Sequence, residues 1–443
     1  MSTRLAVFSC LFASLSLAAL AGCESSTSGE PPPAPAMPQP DAGLSDSGTS
    51  PGADAGADAG PKRPSSSPLA TGASHACLLE SGAVRCWGRN DVGQLGQSGV
   101  TESKTPVAVD LGGAKVSAIA AGAYHTCVIT DAGKVKCWGE NNDGQLGLGD
   151  RARRGEQPGQ MGAALPDVDL GVGRTAKAIG AGYFHTCAVL DDASVVCWGK
   201  NDMGQLGKGH TTSLGDDPAE MGDALAPIAL GAGARVRSLA VGGGHNCALL
   251  ESGAVKCWGY GADGRLGLGD TTTRGDKPDQ MGDALPAVDL AGKSVAMLTG
   301  GGLHTCALFT DGAVSCWGFN RDGELGVGSA TSVGGAPGQM GAALAKTDLG
   351  APAIGVSAGY NHSCAVLETG AVKCWGQNAN DELGIGSADK QSRGDQPGEM
   401  GAALAAVELG GKASFVAAGR SISCALLEGG ATKCWGPIVP PGG

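Results

Sequence analysis

The residue types that could carry chemistry in this chain are cysteines and histidines, and they recur in one short phrase. Residues 245–259 read HNCALLESGAVKCWG, with a histidine two positions before the first cysteine and a second cysteine ten positions after it. Two cysteines so placed can form a disulfide, and together with the histidine they could supply three ligands to a zinc ion. The phrase occurs seven times with small changes, so the same chemistry is repeated along the chain.

The spacing of the cysteines favours disulfides. If 245–259 is an antiparallel hairpin with Cys247 opposite Cys257, a three-residue loop ending in Gly253 remains between the strands. Glycine is preferred at the left-handed end of such a loop. Opposed residues have Cβ atoms about 4.5–5.5 Å apart, which is near disulfide range. The predicted pairs are Cys77–Cys86, Cys127–Cys137, Cys187–Cys197, Cys247–Cys257, Cys306–Cys316, Cys364–Cys374 and Cys424–Cys434.

Two units depart from this hairpin pattern. Cys77 and Cys86 are nine positions apart, so their hairpin needs a two-residue Ser81-Gly82 turn or a bulge. The third unit has Ala193 where the others have glycine, which should cost about 1 kcal/mol if the backbone is left-handed there.

A metal site is the alternative reading of the same residues. His245 and Cys247 lie two apart, hence on one face of a strand, but no fourth ligand recurs beside them. The seventh unit has Ile422 at the histidine position and keeps both cysteines. We therefore predict disulfides and no metal.

Other catalytic signatures are missing from the sequence. It has no HExxH, no Walker motif and no nucleophile elbow, and its GLGD stretches lack the strand–turn–helix setting of a phosphate site. Asn141-Asn142-Asp143-Gly144 faintly resembles a calcium loop, but the EF-hand spacing and its late glutamate are absent. We predict a turn there, no catalytic residue and no cofactor.

A repeated methionine-containing loop is the remaining candidate site. Five units carry a long loop such as RRGEQPGQMGAAL (153–165), and five of the nine methionines fall in these loops. Methionine suits adaptable contact surfaces, and loops often carry function, so the loops could form a binding face. Alternatively, each methionine packs on a neighbouring unit and the loop is a structural lid. The residues concerned are Met161, Met221, Met281, Met340 and Met400.

The N-terminal segment reads as a targeting signal. Arg4 precedes the apolar stretch Leu5–Leu20, which has signal-peptide length and is short for a membrane span. The stretch runs into Leu20-Ala21-Gly22-Cys23, which resembles the bacterial lipobox. That resemblance implies cleavage after residue 22 and lipid attachment at Cys23. An ordinary secretory signal is the alternative.

The amino-acid composition restricts the classes of structure and of partner that the chain can have. Residues 23–66 are mainly Pro, Gly, Ser, Ala and Asp, too poor in apolar surface to offset the entropy of ordering, so we predict a disordered linker. The net charge of −12 disfavours nucleic acid, because DNA binding depends on Lys and Arg. The 78 glycines argue against long helices and favour turn-dense β structure.

All seven tryptophans lie in Cys-Trp-Gly, between 51 and 60 residues apart. The second unit reads as four short strands, namely 116–122, 125–130, 134–139 and a run near 166–170. Short strands with turn signals at this period are typical of propeller blades.

The string AGAYHTCVITDAGKVKCWGENNDGQLGLGD resembles the repeat of the regulator-of-chromosome-condensation family, and the resemblance covers about residues 67–436. It implies an all-β, seven-bladed β-propeller over 67–443, preceded by the signal peptide (1–22) and the linker. The family carries the histidine without the cysteines, which implies a structural hydrogen bond. The seventh unit stops after Cys-Trp-Gly, so a closing strand would come from 437–440, from residues before Leu69, or from nowhere.

Family members include a nuclear exchange factor for a small GTPase and a secreted β-lactamase inhibitor, which both act through protein contact. The resemblance therefore implies a non-enzymatic scaffold that binds an unknown protein partner. With the lipid anchor, we expect a monomer at the cell envelope, as an outer-membrane lipoprotein or at the cell surface. The alternatives are a carbohydrate-binding, small-ligand-binding or enzymatic propeller with a site in the central channel, and an architectural surface component.

Overall fold

The computed structural model describes residues 67–386 and 388–437. These residues form seven antiparallel sheets, one of four strands and six of three, and none of their helices is long and apolar enough to cross a membrane. Each sheet corresponds to one repeat and is one blade, which confirms the predicted all-β seven-bladed propeller. The predicted signal peptide, the linker and Cys23 lie outside the described residues.

In each blade the first strand lines a central channel, and the second and third strands follow it outward. Five short 3-10 turns lie at Gly162–Ala164, Gly222–Ala224, Ala262–Gly264, Gly282–Ala284 and Gly341–Ala343. The strands, blade by blade, are β1 (Leu69–Thr71), β2 (His75–Glu80), β3 (Ala83–Arg89) and β4 (Glu102–Ala108); β5 (Val116–Ala121), β6 (His125–Thr130) and β7 (Val135–Gly139); β8 (Ala176–Ala181), β9 (His185–Leu190) and β10 (Val195–Gly199); β11 (Val236–Val241), β12 (His245–Leu250) and β13 (Val255–Gly259); β14 (Val295–Gly300), β15 (His304–Phe309) and β16 (Val314–Gly318); β17 (Ala353–Ala358), β18 (His362–Leu367) and β19 (Val372–Gly376); β20 (Ala413–Ala418), β21 (Ser423–Leu427) and β22 (Thr432–Trp435).

The second and third strands form the hairpin predicted from the cysteine spacing. Cys247 lies opposite Cys257 and Ala248 opposite Lys256, as the predicted register requires. Ala193 has a φ of 65°, which confirms the left-handed conformation expected of it. The structure contains all seven predicted disulfides, Cys77–Cys86, Cys127–Cys137, Cys187–Cys197, Cys247–Cys257, Cys306–Cys316, Cys364–Cys374 and Cys424–Cys434.

The predicted fourth strand is wrong for most blades. In the described residues only the first blade has one, where β4 pairs with β3. In the second blade the run 166–170 is reduced to a single bridge between Val168 and Val135. The methionine-containing loop lies between the two points at which this segment contacts the third strand, because Arg154 bridges Gly139 at one end of β7 and Val168 bridges Val135 at the other.

Neighbouring blades are joined through the tryptophans. Trp138 is fully buried, and its Nε1 donates to the main-chain oxygen of Gln94 in the preceding blade at 3.0 Å. Because the acceptor belongs to the main chain, the side chain at that position can be Gln, Arg or Glu. The same bond joins Trp198 to Gln145, Trp258 to Gln205, Trp317 to Arg265, Trp375 to Glu324 and Trp435 to Glu382.

The ring closes by packing of blade 7 against blade 1 in the described residues. Blade 7 keeps three strands of its own, and β1 pairs within blade 1. Leu69 and Trp87 of blade 1 form one apolar cluster with Ile422 and Cys424 of blade 7. The main-chain nitrogen of Arg420 also donates to the oxygen of Gly72 across this seam at 3.2 Å.

Candidate binding face

The histidines of the repeats are buried and make the predicted structural hydrogen bond. The Thr126 hydroxyl donates to the main-chain oxygen of Gln94, so it must accept from Nε2–H of His75, which lies 3.0 Å away in the preceding blade. Burial lowers the pKa of His75 to about 4. This imidazole is neutral near pH 7, with its proton fixed on Nε2.

Five further seams follow the same rule, but the seam between blades 7 and 1 does not. Blade 1 has Ala76 at the position that Thr126 occupies in blade 2. At the seam between blades 7 and 1, Ala76 therefore stands in place of the hydroxyl and Ile422 in place of the histidine, and both side chains are fully buried. The missing histidine is therefore matched by a missing hydroxyl. The other histidine partners are His125–Thr186, His185–Asn246, His245–Thr305, His304–Ser363 and His362–Ser423.

Metal binding gains no support from these side chains. Among residues 67–386 and 388–437, no group of three or more His, Cys, Asp or Glu is arranged to hold a metal ion. The cysteines are consumed in disulfides, and the unpaired Nδ1 edge of each histidine lies against a glycine. At Gly72, for example, an added Cβ would come within 2.5 Å of His75 Nδ1.

The methionine-containing loops act as clamps between adjacent blades. An added Cβ on Gly96 of blade 1 would lie 2.9 Å from Met161 Cε of blade 2, so the methionine packs against that glycine. The main-chain nitrogen of Gly162 donates to the oxygen of Asp110 in blade 1 at 3.1 Å. This is the structural-lid arrangement, and it directs the methionine side chains inward. The equivalent methionines Met221, Met281, Met340 and Met400 lie against Gly147, Gly207, Gly267 and Gly326.

A different surface distinguishes the blades, at the mouth of the channel where the first strands end. Two residues stand between the glycine after each first strand and the histidine, and they read AS, AY, YF, GG, GL, YN and RS in chain order. All four tyrosines of the chain lie at this mouth. We call the following side chains the aromatic mouth: Tyr124, Tyr183, Phe184, Tyr260, Tyr360 and Arg420.

Two tyrosines stack across the channel. The rings of Tyr183 and Tyr360, from blades 3 and 6, have centroids 5.1 Å apart and planes 8° apart. Glycines make room for them, because a Cβ on Gly302 would lie 2.2 Å from the Tyr183 hydroxyl oxygen. Burial raises the pKa of the Tyr183 hydroxyl, so it stays protonated. The adjoining channel cavity has a volume of about 250 Å³.

Cations lie over the outer aromatic rings. Arg420 is 4.8 Å from the ring centroid of Tyr360, and Lys200 is 5.5 Å from that of Phe184. The Phe184 ring in turn lies 6.0 Å from Tyr124. The aromatic rings are half-buried and Arg420 is exposed. The arrangement offers flat apolar surface with adjacent positive charge, which can contact a partner but holds no nucleophile–base pair.

Sequence reasoning missed this surface, although a signal was present. Aromatic residues make up 4% of the chain, and Tyr124, Tyr183, Phe184 and Tyr360 all fall within the two variable positions before a histidine. The methionine-containing loops repeat along the chain and are therefore evident in the sequence, whereas the aromatic mouth consists of positions that differ from blade to blade.

Comparison with known proteins identifies the family. The model of the RCC1-like domain matches residues 40–340, and the regulator of chromosome condensation (RCC1) repeat matches residues 353–381. The chain is 30% identical to the ultraviolet-B receptor UVR8 of Arabidopsis thaliana, over 72% of this chain and 79% of that one. It is 32% identical to the mitochondrial RCC1 domain-containing protein RUG3 of the same plant, over 58% of this chain and 55% of RUG3.

Solved structures agree with the fold. Human WBSCR16 superposes with a TM-score of 0.64 at 22% identity, covering 82% of this chain and 87% of that one. Prp20p of Saccharomyces cerevisiae has a TM-score of 0.62 at 21% identity and 81% coverage of both chains. With seven blades built on the same repeat, the chain belongs to the RCC1-like domain family.

Proposed function

We propose that this protein is an exported, lipid-anchored propeller that binds another protein through the aromatic mouth and has no enzymatic activity of its own. The observation that carries the proposal is the gathering of all four tyrosines, with Arg420, at one end of the channel. Tyrosine and arginine are enriched among the few residues that carry most of the binding energy of protein interfaces. Half-buried rings are also already ordered, which reduces the entropic cost of binding.

Relatives support the class of function. The solved structure of Prp20p is described together with its binding to Gsp1p and histones. The chain of that protein is covered to 81%, so the comparison concerns the propeller itself.

The disulfides support export. Disulfides typically form and persist in oxidising compartments and are rare in the cytosol, so the seven disulfides favour an exported location. We place the protein at the cell envelope, in the outer membrane or at the cell surface, anchored through Cys23. Replacing Cys23 with serine should release the protein from the membrane pellet, and metabolic labelling with palmitate should be lost. Persistence of the label in C23S would assign the anchor elsewhere.

Affinity capture with matched baits tests the binding face. The full-length chain is compared with a variant carrying Tyr124→Ala, Phe184→Ala and Arg420→Ala. A control variant, Val172→Ser, removes an exposed apolar side chain in the turn before β8, at the end of that strand away from Tyr183; Val172 is 86% exposed. We expect a partner from envelope extracts to be retained by the wild type and the control and lost by the triple variant. Equal retention of the partner by all three baits would show that the aromatic mouth is not the binding face.

A further inference from the structure

The opposite mouth of the channel is apolar. A cavity of about 500 Å³, here called the funnel, lies between the beginnings of the inner strands, at the end away from the aromatic mouth. Its size falls within the range of small-molecule sites, which are mostly lined by hydrophobic side chains with few polar groups. The large half-buried side chains on its wall are Ile179, Leu239, Met297, Ile354 and Phe415.

The rim of the funnel carries positive charge on one side only. Lys177 of blade 3 and Arg237 of blade 4 are exposed there, whereas the equivalent residues of blades 5 and 6 are Ala296 and Ile354. The funnel is therefore cationic on one side and apolar on the other.

These two cations are not neutralised by the neighbouring hairpins. The Lys177 ammonium donates to the main-chain oxygen of Asp191, and the Asp191 carboxylate is taken by Arg174 at 2.9 Å. In the described residues Arg237 makes no ion pair, and the carboxylate of the next hairpin pairs with Arg235 at 2.9 Å. An anionic group at the rim would meet two positive charges without displacing an existing pair.

We propose that the funnel binds a single-chain anionic amphiphile, with its aliphatic chain against the apolar wall and its carboxylate at Lys177 and Arg237. Charge complementarity sets the orientation, and burial of methylene groups supplies the affinity. Each buried methylene contributes about 0.8 kcal/mol, which is about fourfold in affinity. The site lies at the other end of the channel from the aromatic mouth and does not depend on the proposed protein partner.

The first experiment measures chain-length and charge dependence. Octanoate, decanoate and dodecanoate are titrated calorimetrically, below micellar concentrations, into the oxidised full-length protein. We expect one site per chain and an affinity that rises about fourfold per methylene. Dodecyltrimethylammonium, which has a chain of similar length with the opposite charge, should bind much more weakly. Equal binding of both headgroups, or several sites per chain, would overturn the proposal.

Variants locate the site. Lys177→Ala with Arg237→Ala should weaken dodecanoate binding about tenfold, the sum expected of two partly exposed ion pairs. The matched control, Lys104→Ala with Lys134→Ala, removes two exposed cations outside the inner strands and should leave binding unchanged. Ile354→Trp should fill the funnel and abolish binding of every chain length. If the control weakens binding as much as the rim variant, or if I354W binds normally, the funnel is not the site.

Discussion

Restoring a hydrogen bond at the seam between blades 7 and 1 would test how the ring is held together. Six seams carry a buried histidine bonded to a hydroxyl or amide of the next blade, as His75 is to Thr126. The seventh seam has Ile422 and Ala76 in these places, within one apolar cluster. The perturbation is Ile422→His, Ala76→Thr and the two together.

The magnitudes follow from burial. Position 422 is fully buried, so histidine there leaves Nε2–H without an acceptor, at a cost of about 1–3 kcal/mol. Threonine at position 76 buries an unpaired hydroxyl at a similar cost. Together they can bond to each other, so the double variant should be about 1–2 kcal/mol more stable than the sum of the single effects. It should remain below wild type, because the described part of blade 7 has no loop to supply the carbonyl that Gln94 supplies to Thr126.

The free energies of unfolding of wild type, the two single variants and the double variant form a double-mutant cycle. They are measured by urea unfolding of the oxidised proteins, monitored by tryptophan fluorescence and far-ultraviolet circular dichroism. At the intact seam between blades 1 and 2, Thr126→Val removes the hydroxyl that bonds both His75 and Gln94. It should lower the free energy of unfolding by about 2–4 kcal/mol. A coupling energy of zero between positions 76 and 422 would refute the inferred pairing. So would a neutral effect of T126V.

Three further predictions concern the buried groups. Burial lowers the pKa of His75 and His362 to about 4 and that of His304 to about 3. Their unfolded value is about 6.5, so stability should be full above pH 6.5 and fall toward pH 4, by up to about 1.4 kcal/mol per unit for each histidine; urea midpoints that do not change with pH would contradict this. Gly302→Ala should displace Tyr183, whose hydroxyl oxygen lies 2.2 Å from the added Cβ, and lower stability by about 1–3 kcal/mol with a changed near-ultraviolet spectrum. The control Gly355→Ala, which meets nothing within 4 Å, should do neither. The seven disulfides should lower the intact mass by about fourteen hydrogens, and thiols that react before reduction would contradict the pairing.

The parts of the fold that follow from local spacing could be predicted. The pairing of Cys247 with Cys257 needs only the hairpin register, and the left-handed Ala193 needs only its position in the loop. The partners of the histidines could not be identified, because Thr126 lies 51 residues from His75 and in another blade. The reduction of the fourth strand in blade 2 to a single bridge could not be predicted from local spacing, because the run 166–170 follows a long loop that packs against the neighbouring blade.

The seven repeats are nearly uniform in sequence, yet the blades differ at the mouth of the channel, and the contacts between blades explain why. A histidine bonds to the next blade, whereas its hydroxyl partner and the tryptophan bond to the preceding one. Changing any one of them removes a buried hydrogen bond between blades, at a cost of about 1 kcal/mol or more. The two residues before each histidine carry a smaller constraint, since their main chain joins the blades while their side chains face the mouth. Ala123 and Tyr360 donate equivalent main-chain bonds to the glycine that follows the first strand of the next blade, at 3.3 and 2.9 Å. Blades can therefore differ at the mouth without loss of the ring, and that is where the tyrosines are found.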